Sequence, residues 1–370
     1  MKTRLGMAVS ARQTAMMPCS AAPSSFSRRI LLAGMGACLA ARPVGALGAG
    51  FSPLAAVRAL RITAGPLAGA FTVAPLGVVN WYFGNLGLLP LAARLPSEVR
   101  AWLDLQIARY DIPRGTIADV EPDYASAGAS PGIKRLLLSD SDDAYAGTLL
   151  ALAARHDALG ADDGWWNANV DALKGIARSG IRALQKPSGL TRTFRSHARP
   201  GADVAYLMDN CEVWSGLTAF AARLAARGDR SGAAVHTRAA EKVAAGIAGL
   251  FDPAAGAFRP SDSNAAVGTA FYPDATAQVF PELHGVVAPG LGQAQYDAGW
   301  AALGRIAPQW PALAYDSYPW LLLAAVAARR GAAGQRLARL QLAAARTLPT
   351  ARLTINELGY WQRTADLLRG

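Results

Sequence analysis

Ser139-Asp140-Ser141-Asp142-Asp143-Ala144-Tyr145-Ala146-Gly147 leads into Thr148-Leu149-Leu150, and Leu207-Met208-Asp209-Asn210-Cys211-Glu212-Val213-Trp214-Ser215-Gly216 repeats its form. In both, acidic or amide residues precede an aromatic ring and an Ala/Leu-rich run. Looser copies are Phe271-Tyr272-Pro273-Asp274-Ala275-Thr276 and Tyr315-Asp316-Ser317-Tyr318-Pro319-Trp320. Asn80-Trp81-Tyr82-Phe83-Gly84-Asn85 is an amide version. Asp and Asn start helices well, because their side chains accept the N–H groups that a first turn leaves unpaired. The runs that follow are apolar nearly all round, as buried helices are. Each is followed by a second helix with a polar face. This alternation predicts an all-α chain: a ring of helical hairpins with short β-hairpins in its loops. The polar starts of the inner helices would gather at one end.

Working outward, the pattern predicts helices over Pro53–Ile62, Trp81–Arg94, Glu98–Tyr110, Asp142–His156, Trp165–Leu184, Asn210–Arg227 and Gly232–Phe251. It continues with Asp274–Leu283, Gln293–Ile306, Ser317–Arg329 and Gly334–Thr347, then a last short helix in the Leu353–Leu368 tail. Residues 111–138 and 186–208 lack helical period. Gly115-Thr116-Ile117 and the alternation in Leu190-Thr191-Arg192-Thr193-Phe194 suggest strands or hairpins there. Asp252-Pro253-Ala254-Ala255-Gly256 reads as a turn before an extended piece. No Pro/Ser-rich linker divides the later chain, so residues 50–370 read as a single domain.

Residues 1–49 read instead as a twin-arginine-type signal segment. A basic, acid-free leader contains Ser27-Arg28-Arg29-Ile30-Leu31-Leu32, followed by an apolar run to Ala41 and small residues around Val44-Gly45-Ala46. A general secretory signal with two arginines is the alternative. The apolar run is shorter than a spanning helix needs, so no stable membrane span is expected. The expected location is periplasmic or secreted.

Removing the leader changes the charge. The 370-residue chain has 37 Lys+Arg, 26 Asp+Glu and a formal charge of +11. Six basic residues and no acids precede Phe51, which leaves 31 against 26, or +5. A nucleic-acid partner is therefore not expected. Cys19 and Cys38 also leave, and Cys211 remains alone inside a helix start, where a buried thiol is the simple reading. No paired-His or paired-Cys motif and no Gly-rich phosphate loop is present, so neither a metal nor a cofactor is expected.

The repeat resembles the six-hairpin glycosidase group, on Asp140-Ser141-Asp142-Asp143-Ala144-Tyr145 and Met208-Asp209-Asn210-Cys211-Glu212-Val213-Trp214. Within it, the likeness is to bacterial unsaturated glucuronyl and rhamnogalacturonyl hydrolases, over residues 80–350. The resemblance implies an (α/α)6 toroid and an oligo- or polysaccharide partner. The chain departs from the group in carrying no one subfamily's full catalytic set. The fold also serves lyases and epimerases, so fold alone does not give function.

Glycoside hydrolysis commonly uses two carboxyl groups. The catalytic candidates are Asp142 or Asp143 paired with Asp209, supported by Glu212 and by Asp140. Helix capping is the competing reading for each, but one cap per helix suffices and 140–143 supplies several. Sugar rings stack on Trp and Tyr. That makes Trp81, Tyr82, Tyr145, Trp214, Tyr272, Tyr318 and Trp320 binding candidates, with core packing as the alternative. Asp274 and Asp316 open their own copies of the phrase and join the binding set. Arg195 and His197, with Arg192 and Arg199, form a basic loop suited to a uronate carboxylate. A lyase or uronyl epimerase using His197 and Arg195, and a non-catalytic glycan-binding or export-assembly protein, are the alternatives to a hydrolase.

Overall fold

The computed structural model describes residues 50–127, 130–160 and 163–370. The leader expected over residues 1–49 lies outside them.

Twelve α-helices are numbered here along the described chain: α1 Pro53–Ala59, α2 Trp81–Leu88, α3 Pro96–Arg109, α4 Asp143–Ala158, α5 Asp163–Ile176, α6 Leu207–Ala226, α7 Arg230–Ala248, α8 Phe280–His284, α9 Gln293–Ile306, α10 Leu322–Ala327, α11 Gly331–Ala345 and α12 Ile355–Leu367. A single turn, Tyr124–Ala127, is left unnumbered. Two small antiparallel hairpins interrupt the helices: β1 Asp119–Asp123 with β2 Gly132–Leu137, and β3 Phe251–Asp252 with β4 Ala257–Phe258.

The even-numbered helices are the buried ones. Every residue of α2 and α10 is buried. In α4 only Arg155 and Ala158 are not. Such helices can be apolar on all sides because no face meets water. The odd-numbered helices bury one stripe; α7 buries Ala233, His236, Ala239, Ala240, Val243, Ala244 and Ile247. That spacing returns every three or four residues to one face.

Contacts follow the same alternation. α2 packs on α4, α4 on α6, α6 on α8, α8 on α10, α10 on α12, and α12 returns to α2. Two pairs of glycines let backbones approach closely. A Cβ on Gly216 would lie 2.1 Å from the Gly147 carbonyl oxygen, where α6 meets α4. A Cβ on Gly359 would lie 2.5 Å from the Gly87 carbonyl oxygen, where α12 meets α2.

Proline explains most departures from the sequence-based ranges. Pro90 lies in a 3-10 turn, Leu89–Leu91, which ends α2 early. The stretch expected as a helix over Asp274–Leu283 is a wide turn, a 3-10 turn and then α8. Pro281 has no N–H to continue an earlier helix. The helix expected from Ser317 begins only at Leu322. Pro319 lacks a donor, and Trp320 adopts a left-handed φ of 50°. No full strand forms over 190–194, but the segment makes one antiparallel bridge, Thr191 to Gln185. In it the Lys186 N–H is donated to Leu190 O and the Arg192 N–H to Leu184 O. The outward-facing Thr191 N–H is donated to Asn210 Oδ1 (2.7 Å). The 111–138 segment does form a hairpin, but at β1 and β2. Gly115-Thr116-Ile117 contributes one bridge, Asp111 to Thr116. The tail helix is a full inner member, α12.

Candidate active site

Residues that open the even-numbered helices meet one another. In α2, Asn80 Oδ1 accepts the Phe83 N–H (2.8 Å) and caps the helix. This sets the next two rings: Trp81 packs into the core 4.7 Å from Trp102, while Tyr82 stacks on Tyr145 of α4 at 5.7 Å. The Tyr82 hydroxyl donates to Glu212 Oε1 of α6 at 2.6 Å. Phe83 stacks on Tyr318, and Tyr318 meets Trp320 edge-on at 5.1 Å. Trp320 in turn stacks on half-buried Tyr272 at 5.0 Å.

These side chains surround one small cavity. Its wall takes Tyr82, Phe83 and Leu86 from α2, Glu212 from α6, Phe280 from α8, Tyr318, Trp320 and Leu322 at α10, and Asn356 and Tyr360 from α12. The space inside it is ≈ 20 Å³, enough for one water molecule. Glu212, 1% exposed, is the carboxylate in its lining.

Glu357, one residue beyond that lining, is fully buried and accepts the Leu321 N–H at 2.6 Å. Burial pushes its pKa up to about 7, against the opposing Leu321 N–H and Tyr318 hydroxyl. The sequence reading did not single it out. The signal was present: Asn356-Glu357-Leu358-Gly359-Tyr360-Trp361 repeats the acid/amide-then-aromatic form.

The 140–143 acids divide into three environments. Asp142 sits at the N-cap position of α4 but makes no cap hydrogen bond. It accepts instead from the Thr116 hydroxyl (2.6 Å), the Ser139 hydroxyl (3.4 Å) and the Arg195 backbone N–H (2.9 Å). It thereby ties loop segments together. Asp143, 0% exposed, accepts from the Thr191 hydroxyl (2.8 Å) and from the Ala144 N–H (2.9 Å). Burial raises its pKa well above the carboxylate range, and the nearby charge of Asp209 raises it further. Asp140 is half-buried.

A second buried knot involves Asp119, which had no motif to announce it. Its Oδ2 accepts from Asn80 Nδ2 (2.7 Å) and from the Tyr145 hydroxyl (2.8 Å), and its Oδ1 from the Trp81 N–H (3.2 Å). Burial holds its pKa high, against the Tyr145 hydrogen bond, and the Asp140 charge adds to the rise. Tyr145 is thus committed to this knot through its hydroxyl and to Tyr82 through its ring.

Several candidates lie apart from the cavity wall. Asp274 accepts the Gly268 and Ala270 N–H groups. Asp316 accepts the Tyr318 N–H and the Trp320 indole N–H, each at 3.1 Å, and so positions two cavity rings. Trp214 is half-buried against the core. Arg195 is exposed, and its side chain reaches Ser179 O at 3.5 Å. His197 is exposed and meets Arg192 and Asp203. Arg199 donates to Ser139 O and lies 3.5 Å above the Phe194 ring. Cys211 is a buried free thiol. Among the described residues, no group of three or more His, Cys, Asp or Glu is placed to hold a metal ion. Among them, too, no helix is long and apolar enough to cross a membrane.

No protein-family model matches the sequence, and no curated protein matches it. Among solved structures, the chain is similar to a glycosidase at 13% identity and a TM-score of 0.54, over 86% of this chain and 95% of the other. At that identity the likeness shows the fold alone: the protein has a mostly helical, glycosidase-like fold.

Proposed function

We propose that this protein is an exported glycoside hydrolase, built as an (α/α)6 toroid and acting on an oligo- or polysaccharide. One observation carries the reading. Aromatic rings and the Glu212 carboxylate, brought from separate inner helices, line a single cavity in a fold shared with a glycosidase.

The chemistry assigns two roles. Asp209 and Glu212 are three residues apart on α6, so they share a face. Asp143 and Asp209 are like charges in a buried setting, which favours retaining a proton on one of them. Asp209, the less enclosed of the two, faces the leaving oxygen as general acid and draws on the proton that the Asp143–Asp209 pair retains. Glu212 accepts from Tyr82 and borders a space of one water, so it is the base that activates that water. Sugar rings stack on Trp320 and Tyr272. Asp142 and Asp143 position the α4 end rather than touch substrate.

One observation favours a second reading. Asp143, Asp209 and Glu212 are all buried, and the cavity admits no sugar ring as it stands. An export-assembly protein without turnover tolerates both, and a glycan-binding protein that holds its ligand outside this cavity tolerates the buried acids.

The test incubates the chain from Gly50 with neutral and uronate polysaccharides, following reducing ends and unsaturated-uronate absorbance. New reducing ends are expected, with Glu212→Gln and Asp209→Asn each lowering the rate by roughly 10²–10⁴-fold. Unsaturated product would move the assignment to a lyase. Saturable binding with no turnover would move it to the glycan-binding reading. Export is tested by fusing residues 1–49 to a reporter: Arg28→Lys/Arg29→Lys is expected to abolish twin-arginine translocation, and unchanged export would point to the general secretory route.

A further inference from the structure

A larger pocket, ≈ 240 Å³, lies between the turn that follows α5 and the exposed face of α7, and shares no residue with the central cavity. Arg182 lines it from the turn, while Arg238 and Lys242 line it from α7. All three are exposed. Arg238 and Lys242 are four residues apart, hence neighbours on the helix, where like charges repel. Among the described residues none of the three makes an ion pair. Glu241, the adjacent acid, makes no ion pair with them either.

The wall is built rather than accidental. Gln185 Nε2 donates to Gly189 O (3.0 Å) and to Ala239 O (3.1 Å), which fixes the turn against α7. A Cβ on Gly189 would lie 2.1 Å from Lys242 O, so the approach there requires glycine. The concentration of positive charge is felt beneath the pocket. His236 has its pKa lowered to about 4, by burial first and by Arg182 next.

We infer that this pocket binds an oxyanion of the phosphate class carrying two or more negative charges. Three unpaired cations exceed what a single carboxylate neutralises. Two guanidinium groups offer the forked donors that match phosphate oxygens. The same chemistry is carried by free phosphates and by phosphorylated lipid headgroups, and the experiment separates them.

The chain from Gly50 is titrated calorimetrically with inorganic pyrophosphate. In parallel it is sedimented with phosphatidylcholine vesicles, with and without phosphatidic acid. One saturable site is expected, weakened about tenfold or more in Arg182→Gln/Arg238→Gln. Arg238→Lys, which keeps charge but loses the fork, is expected to fall between. Circular dichroism of each variant separates loss of the site from loss of fold. Binding to acidic vesicles alone, lost in the double variant, keeps the site and names the lipid as its source. Equal affinity in the folded double variant, or no saturable binding in either arm, overturns the inference. The readout is binding, so it stands or falls apart from any glycosidase activity.

Discussion

At the scale of single residues, buried carboxyl groups dominate the central region. Glu357 gives the clearest pH dependence. Its folded pKa of about 7 lies above the ordinary glutamate value of 4.5. The folded state therefore holds the proton more tightly than the unfolded state, and the associated stability is present at low pH and lost as pH rises through about 7. A shift of that size corresponds to at most about 3 kcal/mol. Glu357→Gln keeps an acceptor for the Leu321 N–H and removes the titration. Its melting temperature relative to the parent is expected to rise between pH 5 and pH 8; a difference constant across that range would refute the assignment. Tyr82 supplies a second case. Tyr82→Phe keeps the ring stacked on Tyr145 and removes the hydrogen bond to Glu212. It is expected to cost about 1 kcal/mol in denaturant melts, and to lower kcat more than it raises KM if Glu212 is the base. An unchanged kcat with intact stability would remove Tyr82 from the positioning of Glu212.

At the scale of elements, inner helices are joined by glycine contacts and, where α4 meets the end of α6, by two half-buried arginines paired with the buried Asp157. Both phrases that open the sequence reading end in glycine, Gly147 and Gly216, and these two residues meet where α4 crosses α6. Gly216→Ala would force a methyl group into the Gly147 carbonyl, and Gly359→Ala would do the same to Gly87. Each is expected to destabilise by about 1–3 kcal/mol in urea melts, whereas Gly304→Ala, with open space around its Cβ direction, is expected to be neutral or stabilising. Equal effects at all three positions would contradict close helix approach. Farther along α4, Asp157 is bound by Arg223 and Arg227 of the α6 end. Burial alone would raise its pKa, but the hydrogen bonds from Arg227 and Arg223 together lower it. Its contribution is thus present above the ordinary aspartate range and lost on acidification.

At the scale of the whole molecule, α12 completes the circuit of inner helices by packing on α2, and α1 packs on α12 in turn. Arg94, beyond α2, pairs with Asp366 near the C-terminus at 2.7 Å. A chain ending at Leu353 loses the partner of both α1 and α2. It is expected to lose the cooperative thermal transition seen by circular dichroism; a sharp transition near that of the parent would show that closure by α12 is dispensable.

The alternation of apolar and one-faced helices was legible in the sequence because burial on all sides demands apolar residues on all sides. Gln293–Ile306 was read to the residue, since no proline disturbs its period. Prolines and a left-handed Trp320 make α2, α8 and α10 shorter than their apolar patterns predict. Acid and amide residues also marked where α2, α4 and α6 start, although Asn80 of α2 alone among the inner-helix N-caps makes a side-chain cap hydrogen bond. What local pattern could not supply was which carboxylate meets which partner. Asp142 and Asp143 looked alike in sequence, yet one ties three loop segments and the other is sealed beside Asp209. Asp119 and Tyr145 are 26 residues apart, and Tyr82 and Glu212 are 130 apart. Helix identity follows from hydrogen bonding and burial within a few residues, so the sequence by itself determined it. The cavity, its single water-sized space and the pairing of its acids depend on how distant helices are brought together, and only the tertiary structure decided them.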